Sequence, residues 1–295
     1  MRHLASFVNP VELVRLIRYR FFLFAGLLPY FLGQAVAFGL NKSLNKTCFW
    51  LGFAGIFLVL VAVEFFNEYF DAKDGGDRIF SLEDVRIPHH FYPLGILAVG
   101  IAFIIGIYLA LQTGWPVLLF AFLGFLGAYF YVGPPVRWAY RGFGEIVIGL
   151  CYGPLMVLGS YYIQTAKIAF EPLFVSMVIG LSIFCLAILN EIPDYYQDRL
   201  VGKRNLVVRL GKRKAITLLK LCLAGVFTLL VVGVLIKKIP LTALTAVITV
   251  PWVWKSVKAA EENYDSPARF LFPVNTIVIT HVLLALFLGM SFLRG

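Results

Sequence analysis

One acidic signature occurs twice in the sequence, each time at the end of a long apolar segment. Residues 67–71 read N-E-Y-F-D and residues 190–194 read N-E-I-P-D. Further acids follow both copies, namely Asp74 and Asp77 after the first and Asp198 after the second. An ionisable side chain at membrane depth costs ~2.5–3.5 kcal/mol on insertion scales. The duplication therefore predicts a site for something positively charged.

The spacing places one amide and two carboxylates of each copy on one face of a helix. These sets are Asn67, Asp71 and Asp74 in the first copy, and Asn190, Asp194 and Asp198 in the second. Hard oxygen ligands of this kind suit Mg²⁺, with substrate phosphates completing its shell. Two such faces opposite each other predict two Mg²⁺ ions with a diphosphate between them. The competing interpretation, a solvated loop of ion pairs, leaves the identical Asn and Asp positions unexplained.

Basic residues lie close to the acidic segments in the sequence. Arg137 and Arg141 lie in one charged loop, and Lys203 and Arg204 follow the second motif. Because guanidinium groups bind phosphate oxygens bidentately, we expect these four cations to contact phosphate. The alternative is that they only determine the membrane orientation, which is the interpretation we prefer for residues 212–214.

Three other residues near the motifs have two interpretations. Pro193 lies inside the second motif and is expected to kink its helix, either for packing alone or to aim Asn190 and Asp194 into a cavity. Glu64 lies one turn before the first motif, and Glu145 opens a later apolar segment. Each of these two carboxylates is either a structural ion-pair partner or part of the site.

The composition identifies an integral membrane protein. Of the 295 residues 60% are hydrophobic, and only 14% are charged against roughly 25% in soluble domains. The mean hydropathy is +0.86. Nine apolar segments are long enough to be candidate membrane helices. They cover about 21–40, 48–70, 92–111, 116–132, 144–163, 172–193, 215–236, 240–258 and 273–292.

The fold class expected from these segments is an all-α bundle within one domain spanning 1–295. Backbone groups in lipid must be satisfied within each segment, and no strand alternation predicts a barrel. The repeated motif divides the bundle into two related four-helix groups, roughly 21–132 and 144–258, plus a ninth helix. The four cysteines are scattered in apolar stretches and predict neither a disulfide nor a metal framework.

The distribution of charge predicts the membrane orientation. The net charge is +10, and with nine spans all but six of the 26 Lys and Arg fall on the side of the acidic motifs. By the positive-inside rule this side is cytoplasmic, which places the N-terminus and the motif-bearing loops there, most simply in the cell inner membrane. Residues 1–20 are expected to form a cytoplasmic amphipathic lead-in, not a cleaved signal. No nucleic-acid partner is expected.

With these motifs the chain resembles the UbiA-type intramembrane prenyltransferases, which carry one acidic motif on helix two and another on helix six. Within that superfamily it is most similar to the 1,4-dihydroxy-2-naphthoate prenyltransferase branch of menaquinone synthesis. Three stretches carry the resemblance: 67–77 (NEYFDAKDGGD), 141–165 (RGFGEIVIGLCYGPLMVLGSYYIQT) and 190–211 (NEIPDYYQDRLVGKRNLVVRLG).

The resemblance implies Mg²⁺-dependent transfer of a polyprenyl group from its diphosphate to an aromatic acceptor, within the lipid bilayer. Carried over by position, the residues that hold Mg²⁺ and diphosphate are Asn67, Asp71, Asp77, Asn190, Asp194 and Asp198. Arg137, Lys203 and Arg204 would neutralise the leaving group, and Glu68 joins the substrate contacts.

The sequence departs from the family pattern in three places. Glu68 replaces a usual Asp, and Asn205 replaces a usual Thr. The stretch 78–90 (RIFSLEDVRIPHH) does not follow the pattern of the naphthoate branch.

Other functions remain open at this point. Within the family, 4-hydroxybenzoate, homogentisate or a glycerol-phosphate lipid can be the acceptor. A phosphatidyl-alcohol transferase also uses Mg²⁺ and acids at a membrane surface, but the sequence has no D-G-x-x-A-R run. A cation or metabolite transporter would use the acids as an ion site, although transporter sites lie near the bilayer midplane.

Overall fold

The computed structural model of the protein describes residues 26–74 and 89–294, and all regular secondary structure in these residues is helical. The first half contains α1 Leu28–Asn41, α2 Lys46–Asp74, α3 Phe91–Thr113, α4 Pro116–Val132, α5 Gly144–Leu150 and α6 Met156–Thr165. The second half contains α7 Phe170–Glu191, α8 Tyr195–Leu200, α9 Leu206–Leu210, α10 Lys212–Leu235, α11 Val250–Asn263 and α12 Pro267–Arg294.

Three short segments complete the described helices. A 3₁₀ turn covers Trp138–Tyr140, a π-helical turn over Cys151–Leu155 joins α5 to α6, and a 3₁₀ helix over Leu241–Thr249 leads into α11. Pro154 lies in the π turn, where it cannot donate the backbone hydrogen bond of a regular helix.

Six of the helical segments are long and apolar enough to cross a membrane: α2, α3, the joined α5–α6, α7, α10 and α12. Each of the nine segments predicted from the sequence overlaps a described helix or joined pair of helices. The first predicted segment begins at residue 21, and its start lies outside the described residues. The all-helical membrane bundle expected from the sequence is confirmed, while the internal repeat stays a prediction.

Helix α7 is the centre of the bundle. It packs against α5, α6, α10 and α12, and most of its side chains are buried. Its buried face includes Gly180 and the small hydroxyl residues Ser176 and Ser182. Small residues let helices approach closely in a membrane, where packing and polar contacts replace the hydrophobic effect as the main cause of association.

A close helix approach lies between α7 and the α5–π turn segment. A Cβ atom built on Gly180 would lie 2.7 Å from the carbonyl oxygen of Gly149 and 3.2 Å from the Cα of Gly153. Only a residue without a side chain fits here, because the nearest atoms belong to backbone, which cannot move aside cheaply. This contact holds the middle of α7 against the end of α5 and the π turn.

Substituting Gly180→Ala is expected to lower the free energy of unfolding by about 1–3 kcal/mol, the usual cost of overpacking. Gly100→Ala is the matched control, since a Cβ there meets nothing within 4 Å. Thermal unfolding of both variants in the same detergent measures the effect. Equal midpoints for the two variants would show that the α5–α7 contact does not limit stability.

Candidate active site

The bundle contains a cavity of about 1340 Å³ that both acidic segments line. Its acidic and amide lining residues are Glu64, Asn67, Glu68, Asp71, Asn190, Glu191, Asp194, Asp198 and Asn275. Lys203 is the cation in this lining among the described residues. The two motifs, 123 positions apart in the sequence, therefore face one space.

The first wall of the cavity is the last three turns of α2. Glu64, Asn67, Glu68 and Asp71 all line it. The Asn67 Oδ1 atom is buried and has no hydrogen-bond partner among the described residues. A buried acceptor without a donor is costly, so this oxygen is a candidate contact for a ligand. Asp74 ends α2, and Asp77 lies outside the described residues.

The second wall is formed by a broken helix. The sequence predicted one continuous face through Asn190, Asp194 and Asp198, but α7 ends at Glu191 and α8 begins at Tyr195. Pro193 explains the break, because a proline removes one helical hydrogen bond and its ring clashes with the preceding turn. Asn190, Asp194 and Asp198 nevertheless all line the cavity, so the break turns the motif towards it.

Asp198 is held by two neighbouring side chains. The Asn205 amide donates a 2.6 Å hydrogen bond to Asp198 Oδ2, and Lys203 Nζ lies 3.6 Å from Asp198 Oδ1. Burial raises the pKa of the Asp198 carboxyl above its ordinary value; Lys203 opposes this, Asp194 adds to it, and Asn205 also lowers the pKa. The balance of these groups thus determines the charge that Asp198 presents to the cavity.

Asn205 also begins the short helix α9. Its side-chain oxygen accepts a hydrogen bond from the backbone N–H of Val208 at 2.8 Å, which is the standard N-cap contact. The residue is fully buried. A single amide therefore caps α9 with its oxygen and positions Asp198 with its nitrogen.

Glu145 holds the same loop from the other side. It is fully buried at the start of α5, and its Oε1 accepts the backbone N–H of Leu206 at 2.7 Å. The backbone N–H of Arg204 donates to the carbonyl oxygen of Tyr140 at 3.3 Å. Glu145 does not line the cavity. Its hydrogen bond to Leu206 instead stabilises the loop that carries the second motif.

The predicted phosphate-binding cations divide into two groups. Lys203 lines the cavity, whereas Arg137, Arg141 and Arg204 do not. The Arg141 guanidinium donates to the carbonyl oxygen of Pro135 at 3.1 Å, and the Arg137 guanidinium lies 5.3 Å from the ring centre of Tyr140. Arg204 lines a separate pocket at the surface.

Beyond its acidic end the cavity is apolar and deep. Its lining continues along α2 to Gly52, nineteen residues before Asp71, which is about 28 Å of helix. This length is close to the ~30 Å hydrocarbon thickness of a bilayer. Aromatic rings line the space between, including Phe120, Phe125 and Tyr152.

Sequence reasoning missed several lining residues. Tyr131 and Glu191 line the cavity, and neither was singled out. Glu191 lies within the second motif, so its position was itself a signal, whereas Tyr131 is one of 14 tyrosines in an aromatic-rich chain. Asn275 in α12 is a further lining residue, and no motif in the sequence indicates it.

The donor atoms of the site suit a hard cation held jointly with a ligand. Among the residues described, no three acid, histidine or cysteine side chains form a ready-made metal cluster. The carboxylates are instead divided between two walls, and the Asn67 oxygen has no hydrogen-bond partner in the part of the chain that the structure describes. Mg²⁺ commonly takes one or two protein carboxylates and completes its shell with water and substrate phosphate. The residues present therefore fit Mg²⁺.

The fold and the site together define an integral membrane protein with a deep apolar chamber that is acidic at one end. Residues 26–286 match the UbiA prenyltransferase family, and the chain belongs to this family. It is therefore an enzyme, a prenyltransferase.

Two relatives and one solved structure illustrate the match. The chain is 28% identical to 1,4-dihydroxy-2-naphthoate octaprenyltransferase of Bacillus subtilis (strain 168), over 91% of this chain and 88% of that protein. It is 26% identical to 2-carboxy-1,4-naphthoquinone phytyltransferase of Synechocystis, over 82% and 80%. The fold matches a UbiA homolog from Archaeoglobus fulgidus bound to DMAPP and Mg²⁺, with a TM-score of 0.68, 15% identity and coverage of 96% and 99%.

Proposed function

We propose that this enzyme transfers a polyprenyl group from polyprenyl diphosphate to 1,4-dihydroxy-2-naphthoate, a step of menaquinone synthesis. The observation that carries the proposal is the convergence of both N-E-x-x-D motifs at one end of a single cavity that is otherwise apolar. The diphosphate group of the donor would bind at the polar end, and its hydrocarbon chain would lie in the apolar part of the cavity. The acceptor is supported by the naphthoate and naphthoquinone relatives.

Magnesium is the proposed cofactor. Asp71, Asp194 and Asp198 would hold it with Asn67 and Asn190, and Asp74 and Asp77 remain predicted ligands. The oxygen donors of both walls and the unsatisfied Asn67 oxygen support this assignment. When bound, Mg²⁺ stabilises the negative charge that develops on the departing diphosphate. Lys203, which lines the same end, would add a positive charge to that role, with Glu68 contacting substrate nearby.

The apolar part of the cavity suits the reacting carbon. The allylic C–O bond breaks with its electron pair leaving on the diphosphate, and the chain becomes a carbocation. Aromatic faces such as those of Phe125 and Tyr152 stabilise a cation by cation–π contact. An apolar lining also disfavours water, which would otherwise quench the cation. The electron-rich acceptor ring then forms the new C–C bond and loses CO₂ or a proton.

The acidic end of the cavity is proposed to face the cytoplasm. Helices α2 and α7 both reach this end at their C-terminal turns, and the cation-rich segment 199–214 follows directly. The positive-inside rule assigns such segments to the cytoplasmic face. The proposed location of the enzyme is the inner membrane of the cell. Both substrates would reach the cavity there, with the polyprenyl tail of the donor in the bilayer.

The proposed function is tested by prenyl transfer with the purified protein in detergent. Octaprenyl diphosphate is supplied with 1,4-dihydroxy-2-naphthoate, 4-hydroxybenzoate or homogentisate, and products are followed by mass. We expect a prenylated, decarboxylated naphthoquinol that disappears when EDTA is added. Product with another acceptor alone would keep the prenyltransferase chemistry and overturn the naphthoate assignment.

Asn205→Asp is expected to weaken the use of Mg²⁺ while leaving the protein folded. Aspartate caps a helix as well as asparagine does, so α9 keeps its N-cap. It cannot donate to Asp198 when ionised, and it adds a like charge beside that carboxylate. Losing a partner that orients a metal ligand typically costs about 10–100-fold in metal affinity or activity. The Mg²⁺ concentration at half-maximal rate measures the change.

Asn205→Ala is the companion variant. It removes both the cap and the contact to Asp198, so it should also lower the free energy of unfolding by about 1–2 kcal/mol. A normal Mg²⁺ requirement in Asn205→Asp would show that Asn205 serves α9 alone.

A further inference from the structure

A second, strongly basic pocket lies beside the acidic end of the main cavity. It has a volume of about 560 Å³ and is formed by the loop between α7 and α10. Four of its lining residues are cations: Arg199, Lys203, Arg204 and Arg209. The others are Tyr195, Gly202 and Val208, so no described acid lines it. Such a concentration of one charge predicts an anionic occupant.

The arginines of this pocket have hydrogen-bonding capacity to spare. Arg209 uses its Nε on the carbonyl oxygen of Arg204 at 2.9 Å. The guanidinium groups of Arg199 and Arg204 form no ion pair with an acid in the part of the chain that the structure describes. All three side chains are exposed. Guanidinium forks match phosphate oxygens bidentately, which makes phosphate the best-fitting class of ligand.

The backbone holds these cations in a fixed arrangement. The N–H of Lys203 donates to the carbonyl oxygen of Asp198 at 2.8 Å, and the N–H of Arg204 donates to that of Tyr140. The N–H of Arg209 donates to the carbonyl oxygen of Asn205 at 3.0 Å, within α9. These hydrogen bonds hold the backbone of the loop that carries the cations, and the Arg204 contact ties it to the Tyr140 turn.

Lys203 lines both the basic pocket and the main cavity. The two spaces are therefore neighbours that share one cation, although only the main cavity contains carboxylates that suit a metal. An anion in the basic pocket needs no Mg²⁺, since its partners are already positive. An anion in the main cavity faces several carboxylates and needs a cation there first.

We propose that the basic pocket is a second, metal-independent phosphate site, which takes inorganic diphosphate or the phosphate headgroup of an anionic lipid. Its position beside Lys203 suits it to receive the diphosphate that the main cavity releases; this role rests on the proposed function, whereas binding itself does not. The anion would move past Lys203, away from the carboxylates of the main cavity, which repel it, and towards the arginines of the basic pocket, which attract it.

The test is binding of radiolabelled inorganic diphosphate in EDTA to the full-length protein in phosphatidylcholine nanodiscs. Without Mg²⁺ the main cavity should bind none, so the retained binding reports the basic pocket. We expect about one equivalent for the wild type, and an affinity at least about 10-fold lower for the double variant Arg199→Gln, Arg204→Gln.

The matched control is Arg213→Gln with Lys214→Gln, which removes two exposed cations of the adjoining α10 outside the pocket. This control should bind within about twofold of the wild type, because distant exposed charges are screened. Intact folding of each variant is checked by its elution profile and thermal midpoint.

A second arm separates the two sources of phosphate. Nanodiscs that contain phosphatidylglycerol should leave diphosphate binding unchanged if free diphosphate is the ligand. If they displace diphosphate from the wild type and the control variant, the lipid headgroup occupies the pocket. The proposal is overturned if neutral nanodiscs show no binding in EDTA, or if the Arg199→Gln, Arg204→Gln variant binds as tightly as the wild type.

Discussion

Replacing Asp71 or Asp194 with asparagine is expected to lower prenyl transfer by more than about 100-fold. The two carboxylates lie on opposite sequence motifs and line the same end of the cavity. Asparagine preserves the size of each side chain but removes the negative charge that attracts Mg²⁺. Substituting a residue that only orients a metal ligand typically lowers metal affinity or activity by about 10–100-fold. Substituting a ligand itself should lower activity further. Initial rates at saturating Mg²⁺ and donor measure the loss.

The control for this pair is Glu262→Gln, which removes an exposed carboxylate from the end of α11 outside the cavity. It should retain normal rates. Both active-site variants should keep the thermal midpoint of the wild type, because neither residue contributes to the buried core. Activity within tenfold of wild type in either variant would contradict the assignment of the acidic walls to Mg²⁺–diphosphate.

Gly55→Phe is expected to convert the enzyme to one that accepts only short donors. Gly55 lines the cavity sixteen residues before Asp71, about 24 Å along α2. A Cβ built there meets one atom, Ile105 Cγ2 at 3.5 Å, so a large side chain projects into open space. Transfer from octaprenyl diphosphate should fall by at least about 10–200-fold, which is what a misfit of one methylene costs in a hydrophobic pocket. Transfer from geranyl diphosphate should change less than twofold.

Gly100→Phe is the matched control, since it adds the same ring at an exposed glycine of α3 that does not line the cavity. It should leave both donors unaffected. Steady-state rates with the two donors give the ratio directly. An equal loss with both donors would mean that the cavity beyond Gly55 does not hold the prenyl chain.

The helices were predicted well where the sequence alone fixes them. The segment predicted at 116–132 is α4, Pro116–Val132, because a proline starts an uninterrupted apolar run and Gly133 ends it. The segment predicted at 92–111 is α3, Phe91–Thr113. Such boundaries depend on local composition and on the length that a membrane demands, both of which are visible in a sequence.

Breaks inside helices were predicted less well. Pro193 was expected to kink a continuous helix, whereas α7 ends before it and α8 begins two residues after it. The stretch between the predicted spans 172–193 and 215–236 contains two short helices, α8 and α9, that were not predicted. These short helices are stabilised by contacts that are distant in sequence, such as the hydrogen bond from the Leu206 N–H to Glu145. Such contacts leave no local sequence pattern from which the helices could be predicted.

The residues of the candidate site were also predicted only in part. Repetition of the motif identified Asn67, Asp71, Asn190 and Asp194, and all four line one cavity. The positions of the basic residues were not predictable in this way. A positive charge near a membrane indicates on which side of the membrane a segment lies, but not which pocket its side chain lines. Arg204 illustrates this: its backbone contact with Tyr140 places it in the basic pocket rather than in the main cavity.

The most direct test of the central claim is a single-turnover experiment with octaprenyl diphosphate and 1,4-dihydroxy-2-naphthoate, in which product and released diphosphate are counted together. With Mg²⁺ the wild type should yield equal amounts of diphosphate and of a prenylated, decarboxylated naphthoquinol, and with EDTA it should yield neither. Folded protein that releases no diphosphate with Mg²⁺, or that forms product equally well in EDTA, would contradict the account.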